Sequence, residues 1–396
     1  MQYGEISGDL LVKKYLVARY CGRKMRLMYS LIFFANLVFA VGHPLLVAAE
    51  SFTLKEELAV TAMKVFFVSP GGDDSNDGLT ARHPLKTINH ALQQAQAGDT
   101  VFLLPGIYEQ DIETVRNGNA LHSIRITGTH EAVVHGAGKS HVIDIHHSHI
   151  ELSNFTVDGK NGPGDKLEHY RDKLIYIKGQ KNLGVNNVRL FGMKLQNAYG
   201  ECIRIKYMAT NNEVAYSNIQ NCGLRDYVFN RGKHNGEAIY IGTAPEQIIE
   251  GVNPTKETDQ SNENWVHHNY ISPQGSECVD IKEGSQRNII EYNICTGQSD
   301  KNVGGISVRG NDNIIRYNTV FSNKGAGVRL GGDTEIDGIN NAVYGNYLHD
   351  NAGGGLKIIR APQKKICGNT IIALSGQKII RTKNIPASGF LKACDD

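Results

Sequence analysis

The chain has 396 residues, with 43 Gly, 10 Pro, one Trp and 42 Lys and Arg against 40 Asp and Glu. Residues 1–49 carry six of the basic and two of the acidic side chains, so the remainder is weakly acidic. That balance argues against a nucleic-acid partner, and an acidic substrate would have to be met by a local basic strip.

Residues 25–49 read as a secretory signal. Arg26 and the upstream Lys and Arg form a basic flank, Leu31 to Val41 is apolar apart from Asn36, and Val47-Ala48-Ala49 offers small residues for cleavage. The run is short for a span and ends in Gly42-His43-Pro44, so no stable membrane insertion is expected after cleavage. Residues 1–24 form an extension upstream of this signal, and Met25 or Met28 are alternative starts. A secreted or periplasmic monomer is expected. Cys21 precedes the cleavage point; Cys202, Cys222, Cys278, Cys295, Cys367 and Cys394 follow it and suit either disulfides or buried thiols. None has zinc-type C-x-x-C spacing.

Residues 50–63 read as a linker, and 64–396 as one all-β domain. Its first strand, in VFFVSPGG (65–72), precedes an amphipathic helix whose apolar face is Leu85, Ile88, Leu92 and Ala95, with Gly98 as its stop. The phrase GDTVFLLPGIY (98–108) follows. This opening resembles right-handed parallel β-helix proteins of the pectate-lyase type, in which such a helix caps the first coil.

A short phrase then repeats: an asparagine, a mostly apolar stretch, and a second asparagine five places on. It reads NLGVNN (182–187), NWVHHN (264–269), NIIEYN (288–293), NIIRYN (313–318) and NAVYGN (341–346), with looser copies ending at Asn154, Asn218 and Asn369. From Asn269 the terminal asparagines lie 24, 25, 28 and 23 residues apart, the period of a solenoid. The asparagines are expected to form an internal turn ladder. A second strand series reads HVIDIH, KLIYIK, ECIRIK, EAIYIG, ECVDIK, GGISVR, AGVRLG and GGLKII, always aliphatic at its third and fifth positions. Stacked in register, it lines up Lys206, Gly242, Lys282 and Arg309 in one column and Glu201, Glu237 and Glu277 in another. On a sheet surface such columns read equally as a solvated salt-bridge ladder. The coil from Asn218 to Asn269 is about twice its successors' length, with insertions around 223–234 and 243–262 that would line a binding face.

The segments HNGEAIYIG, SECVDIKEG and GGISVRGNDN resemble the core of the alginate lyase and chondroitinase B family, which shares the β-helix fold. The resemblance implies an exported polysaccharide lyase that cleaves an acidic, uronate-containing polysaccharide by β-elimination. It puts Lys282 in the place of the general base and Arg309 in that of the proton donor or charge stabiliser. Asn235 and Glu277 fall where the family holds calcium. Position 275, where the family usually has a further acidic ligand, is Gly275, so Glu237 or water would complete the shell, or a basic residue would meet the substrate carboxylate without metal. Lysine serves as a base only with a lowered pKa, which Arg309 and calcium are expected to provide. Arg204, Arg329 and Lys357 extend the basic face, and Tyr240 and His234 are further candidate substrate contacts. Asp280 would tune Lys282 or pair with a neighbouring cation. The alternatives are a glycoside hydrolase using Glu237 and Glu277, a uronate epimerase, or a non-catalytic glycan-binding β-helix.

Overall fold

The computed structural model describes residues 63–231, 236–251, 253–383, 390 and 392–394. The signal, its upstream extension, nearly all of the linker, His234 and Asn235 lie outside the described residues. Among the described residues no helix is long and apolar enough to cross a membrane.

Alternation of inward aliphatic and outward polar residues dictates the architecture, because each short strand can bury only one face and must borrow hydrogen bonds from the coils on either side. The result, among the described residues, is a right-handed parallel β-helix of three long sheets with 11, 10 and 10 strands, plus a small two-stranded sheet, all paired in parallel. A typical coil runs from Val279–Ile281 in one sheet to Ile289–Glu291 in the next and Ile294–Thr296 in the third, then returns at Gly304–Val308. Ile205, Ile241, Ile281, Val308 and Leu330 stack in register inside the barrel, each fully buried.

The capping helix spans Ile88–Gln94 and buries Ile88, Ala91 and Leu92. Thr87 caps its N-terminus by accepting a hydrogen bond from the His90 amide. It ends at Ala95, earlier than the expected stop at Gly98, because Ala95 is already extended. The neighbouring strand Val65–Val68 pairs with Thr100–Leu103 and opens the first sheet.

Among the described residues the asparagines of the repeated phrase form two internal ladders, and Gln298, Asn323 and Asn351 form a shorter third. In one, the Oδ1 of Asn264, Asn288, Asn313 and Asn341 each accepts from the backbone amide of the preceding coil's ladder residue. Asn269, Asn293, Asn318, Asn346 and Asn369 repeat the pattern in the other. Buried amides at the tight turns need such acceptors, since no water reaches them. The early copies differ. Ser217, not Asn218, occupies the second ladder, and Val188, following Asn187, stands where Asn212 stands one coil later. Asn154, Asn182 and Asn187 instead take left-handed turn conformations. All six described cysteines form disulfides, Cys202–Cys222, Cys278–Cys295 and Cys367–Cys394.

Candidate functional site

The site lies on the outer face of the sheet that carries the second strand series. Register pairing aligns Tyr176, Arg204, Tyr240, Asp280, Ser307, Arg329, Lys357 and Arg381 on successive coils. Continuing the pairs Ile205, Ile241, Ile281 and Val308 by one residue aligns Lys206, Gly242, Lys282 and Arg309. Counting two residues back from Ile203, Ile239 and Val279 aligns Glu201, Glu237 and Glu277. Both columns expected from the sequence therefore exist.

Asp280 is the hub. It is fully buried and faces outward from the short strand Val279–Ile281, two residues before Lys282 and so on the same side of the sheet. Its Oδ2 lies 2.6 Å from Lys282 Nζ, and its Oδ1 lies 3.5 Å from Arg309 Nε. Arg309 also reaches Glu277 at 3.9 Å and Asp333 at 3.6 Å. Glu237, Glu277 and Asp280, all buried, each offer one oxygen within 4.8 Å of the others. Glu277 is held by Ser276, whose Oγ donates to Oε2 at 2.5 Å, while its Oε1 is buried and accepts no hydrogen bond from a described residue.

Burial and charge set the protonation of this group. Burial pushes the Glu237 carboxyl up to about 8; Lys282 opposes the rise and Glu277 adds to it. Glu277 is likewise raised by burial and Asp280, against Lys282 and Arg309. Burial would also raise Asp280, but Lys282 and Arg309 outweigh it and hold the carboxyl low. Lys282 contradicts the expectation of a lowered pKa. Burial alone would depress it, yet Asp280 and Tyr240 more than compensate and keep the ammonium protonated. Arg309 is raised chiefly by Asp280, against burial.

The remaining candidates divide. Arg204 is buried, donates through its two Nη atoms to Glu201 and Gln247, and covers the Tyr240 ring at 3.5 Å. Tyr240 is itself buried, with Lys282 Nζ 4.5 Å from its centroid. Both are thus part of the floor beneath the site. Arg329, 8% exposed, forms no ion pair among the described residues, and burial and Arg309 lower its pKa.

Sequence reasoning underweighted Asp280, although its outward position beside Lys282 was readable in DIK. It also left Lys206 without a role. This lysine is 1% exposed, and burial followed by Arg204 pushes its amine down to about 7.

A family model described as "Protein of unknown function (DUF1565)" matches residues 70–275. The uncharacterized protein YwoF of Bacillus subtilis (strain 168) is 26% identical over 150 residues, 34% of this chain and 31% of that protein. The match thus spans about a third of that relative's length. Among solved structures, the alginate lyase from Paenibacillus sp. str. FPU-7 aligns over 74% of this chain and 96% of its own, with 19% identity and a TM-score of 0.55. Pectate lyase Pel9A aligns over 82% and 80%, with 13% identity and a TM-score of 0.49. At 19% identity the likeness to the alginate lyase is one of fold.

Proposed function

The chain belongs to the family described as DUF1565, and we propose that it is an exported polysaccharide lyase acting on a uronate-containing polymer. The observation that carries the reading is the pairing of Lys282 and Arg309 with buried Asp280 and Glu277, on which buried Glu237 also converges, on adjacent coils. A glycan-binding surface has no need to bury so many opposed charges, since desolvating each is costly.

In the proposed reaction, Lys282 takes the C5 proton of a uronate, the C5–H electrons form the C4–C5 double bond, and the C4–O bond breaks. The leaving sugar oxygen receives a proton from Arg309 directly or through water, or is stabilised by its charge. Arg309 is a poor acid, so charge stabilisation is the smaller demand on it. Lys282 must first lose its proton, and Asp280 holds that proton in place. Engagement of Asp280 by another cation would release it, leaving burial and Arg309 to favour the free amine. Arg329 and Lys357, on the next two coils, would meet carboxylates of neighbouring sugars.

The carboxylates suit calcium, a hard cation that takes oxygen ligands flexibly, and Glu277 Oε1 is a buried acceptor unused by any described donor. Glu237 and Glu277 would hold the ion, with Asn235 as a further donor. Bound there, it would neutralise the substrate carboxylate and stabilise enolate-like charge at C5. The three disulfides support an oxidising compartment outside the cytoplasm.

A second reading, glycoside hydrolysis, draws on the opposed pKa values of Glu237 and Asp280, one carboxyl raised and one lowered, as an acid and its partner require. Incubation with alginate, pectate and glycosaminoglycans at varied calcium separates the two. New ultraviolet absorbance from an unsaturated product supports the lyase; new reducing ends without that absorbance support the hydrolase.

A further inference from the structure

We propose that Asp280 is the third carboxylate of a divalent-cation site with Glu237 and Glu277, doing the work that an acid at position 275 cannot do in this chain. The inference rests on the cation part of the reading above and concerns the chain's own ligands.

Position 275 is closed to any side chain. A Cβ on Gly275 would lie 2.3 Å from the Gly236 carbonyl oxygen, 2.5 Å from that of Cys222 and 2.8 Å from the Gly223 Cα. Three glycines from neighbouring coils, Gly223, Gly236 and Gly275, are packed backbone to backbone here. Gly223 and Gly236 also take positive φ values of 74° and 114°. An acid cannot be restored at 275 without parting these coils.

Asp280 supplies the missing charge from the adjacent strand. One oxygen of Glu277 is tied to Ser276, and Glu237 Oε2 accepts from the Gly236 amide at 3.1 Å. These bonds orient the two glutamates, as outer partners do for metal-binding carboxylates. Glu277 Oε1 and Asp280 Oδ1 are then left as buried acceptors without a hydrogen bond among the described residues, in side chains 1% and 0% exposed. Lys282 occupies only Oδ2 of Asp280, and Arg309 stands off at 3.5 and 3.9 Å. Oxygens of all three carboxylates thus converge within 4.8 Å of one another, and two of the buried acceptors have no hydrogen bond from a described residue. A hard dication accepting six to eight oxygens, the rest from water or a substrate carboxylate, answers both features.

The test is isothermal titration calorimetry of the full protein with calcium chloride and no polysaccharide, alongside melting temperatures with and without calcium. Wild type is expected to bind one calcium and melt higher in its presence. Asp280→Asn and Glu277→Gln should each weaken binding by at least about tenfold. Lys282→Met keeps every carboxylate and removes the ammonium that competes for Asp280, so it should bind calcium more tightly. This variant keeps the inference testable should Asp280→Asn fail to fold. Wild type that takes up no calcium, Asp280→Asn that binds it as wild type does, or Lys282→Met with unchanged or weaker affinity would each overturn the inference. Because no substrate is present, the outcome is separate from that of the lyase reading. Calcium binding without elimination would sink only the latter, and elimination without calcium binding only the former.

Discussion

Replacing Lys206 with methionine should stabilise the protein at pH 6 and lose much of that advantage by pH 9. Lys206 is 1% exposed and makes no ion pair with a described residue. The nearby Asp259 carboxylate is already engaged by the amides of Tyr207 and Met208 and the hydroxyls of Thr243 and Ser261. Burial, then Arg204, pushes the lysine from 10.5 down to about 7, with Asp259 opposing. Below pH 7 both folded and unfolded chains carry the proton, and the fold bears the whole cost of burying it. Each tenfold loss of proton affinity corresponds to about 1.4 kcal/mol, so that cost has a ceiling of about 5 kcal/mol. Between pH 7 and 10.5 the unfolded chain holds a proton that the native state has released, so native stability rises with pH. The rise from pH 7 to pH 9 returns roughly half of that cost. Methionine fills a similar space without charge. Melting followed by circular dichroism at pH 6, 7.5 and 9 measures the gap between variant and wild type. An advantage that stays constant with pH, or a methionine variant less stable than wild type at pH 6, would refute the reasoning.

Asn293→Ala should cost about 2–4 kcal/mol in denaturant unfolding, since it strips acceptors from Asn269 and donors from Val266, Glu291 and Asn318 within the core. Asn218→Ala, exposed and outside the ladder, should stay within about 0.5 kcal/mol of wild type. Arg329→Ala should raise KM on a cleaved polyuronate about tenfold, consistent with loss of a charged contact, while kcat and melting temperature hold. A fall in melting temperature would assign this arginine to the scaffold instead.

The strand series was legible because its inward aliphatics at positions three and five leave one workable register. That register alone brings Lys282 and Arg309 to one face, 27 residues apart in sequence. The asparagine phrase was less faithful. At 182–187 it matches the pattern by composition, yet the turn there is built by left-handed asparagines, and the ladder position falls on Val188. Asn218 misled by a single residue, because serine at 217 supplies the same acceptor. Disulfide pairing depends on which cysteines meet across the coil interior, which spacing does not encode. The direction of the Lys282 pKa was hidden for a similar reason: burial and Arg309 push it down, Asp280 and Tyr240 push it up, and the 2.6 Å contact to Asp280 is not written in the sequence. Gly275 was visible as a departure, but the carbonyl contacts that forbid a side chain there were not.

The most direct test of the account is the ultraviolet absorbance of unsaturated product formed from a polyuronate by wild type and by Lys282→Ala. The account predicts steady growth of absorbance with wild type and a loss of about two to four orders of magnitude in the variant, with its circular dichroism unchanged. Full product formation by a folded Lys282→Ala protein would contradict it.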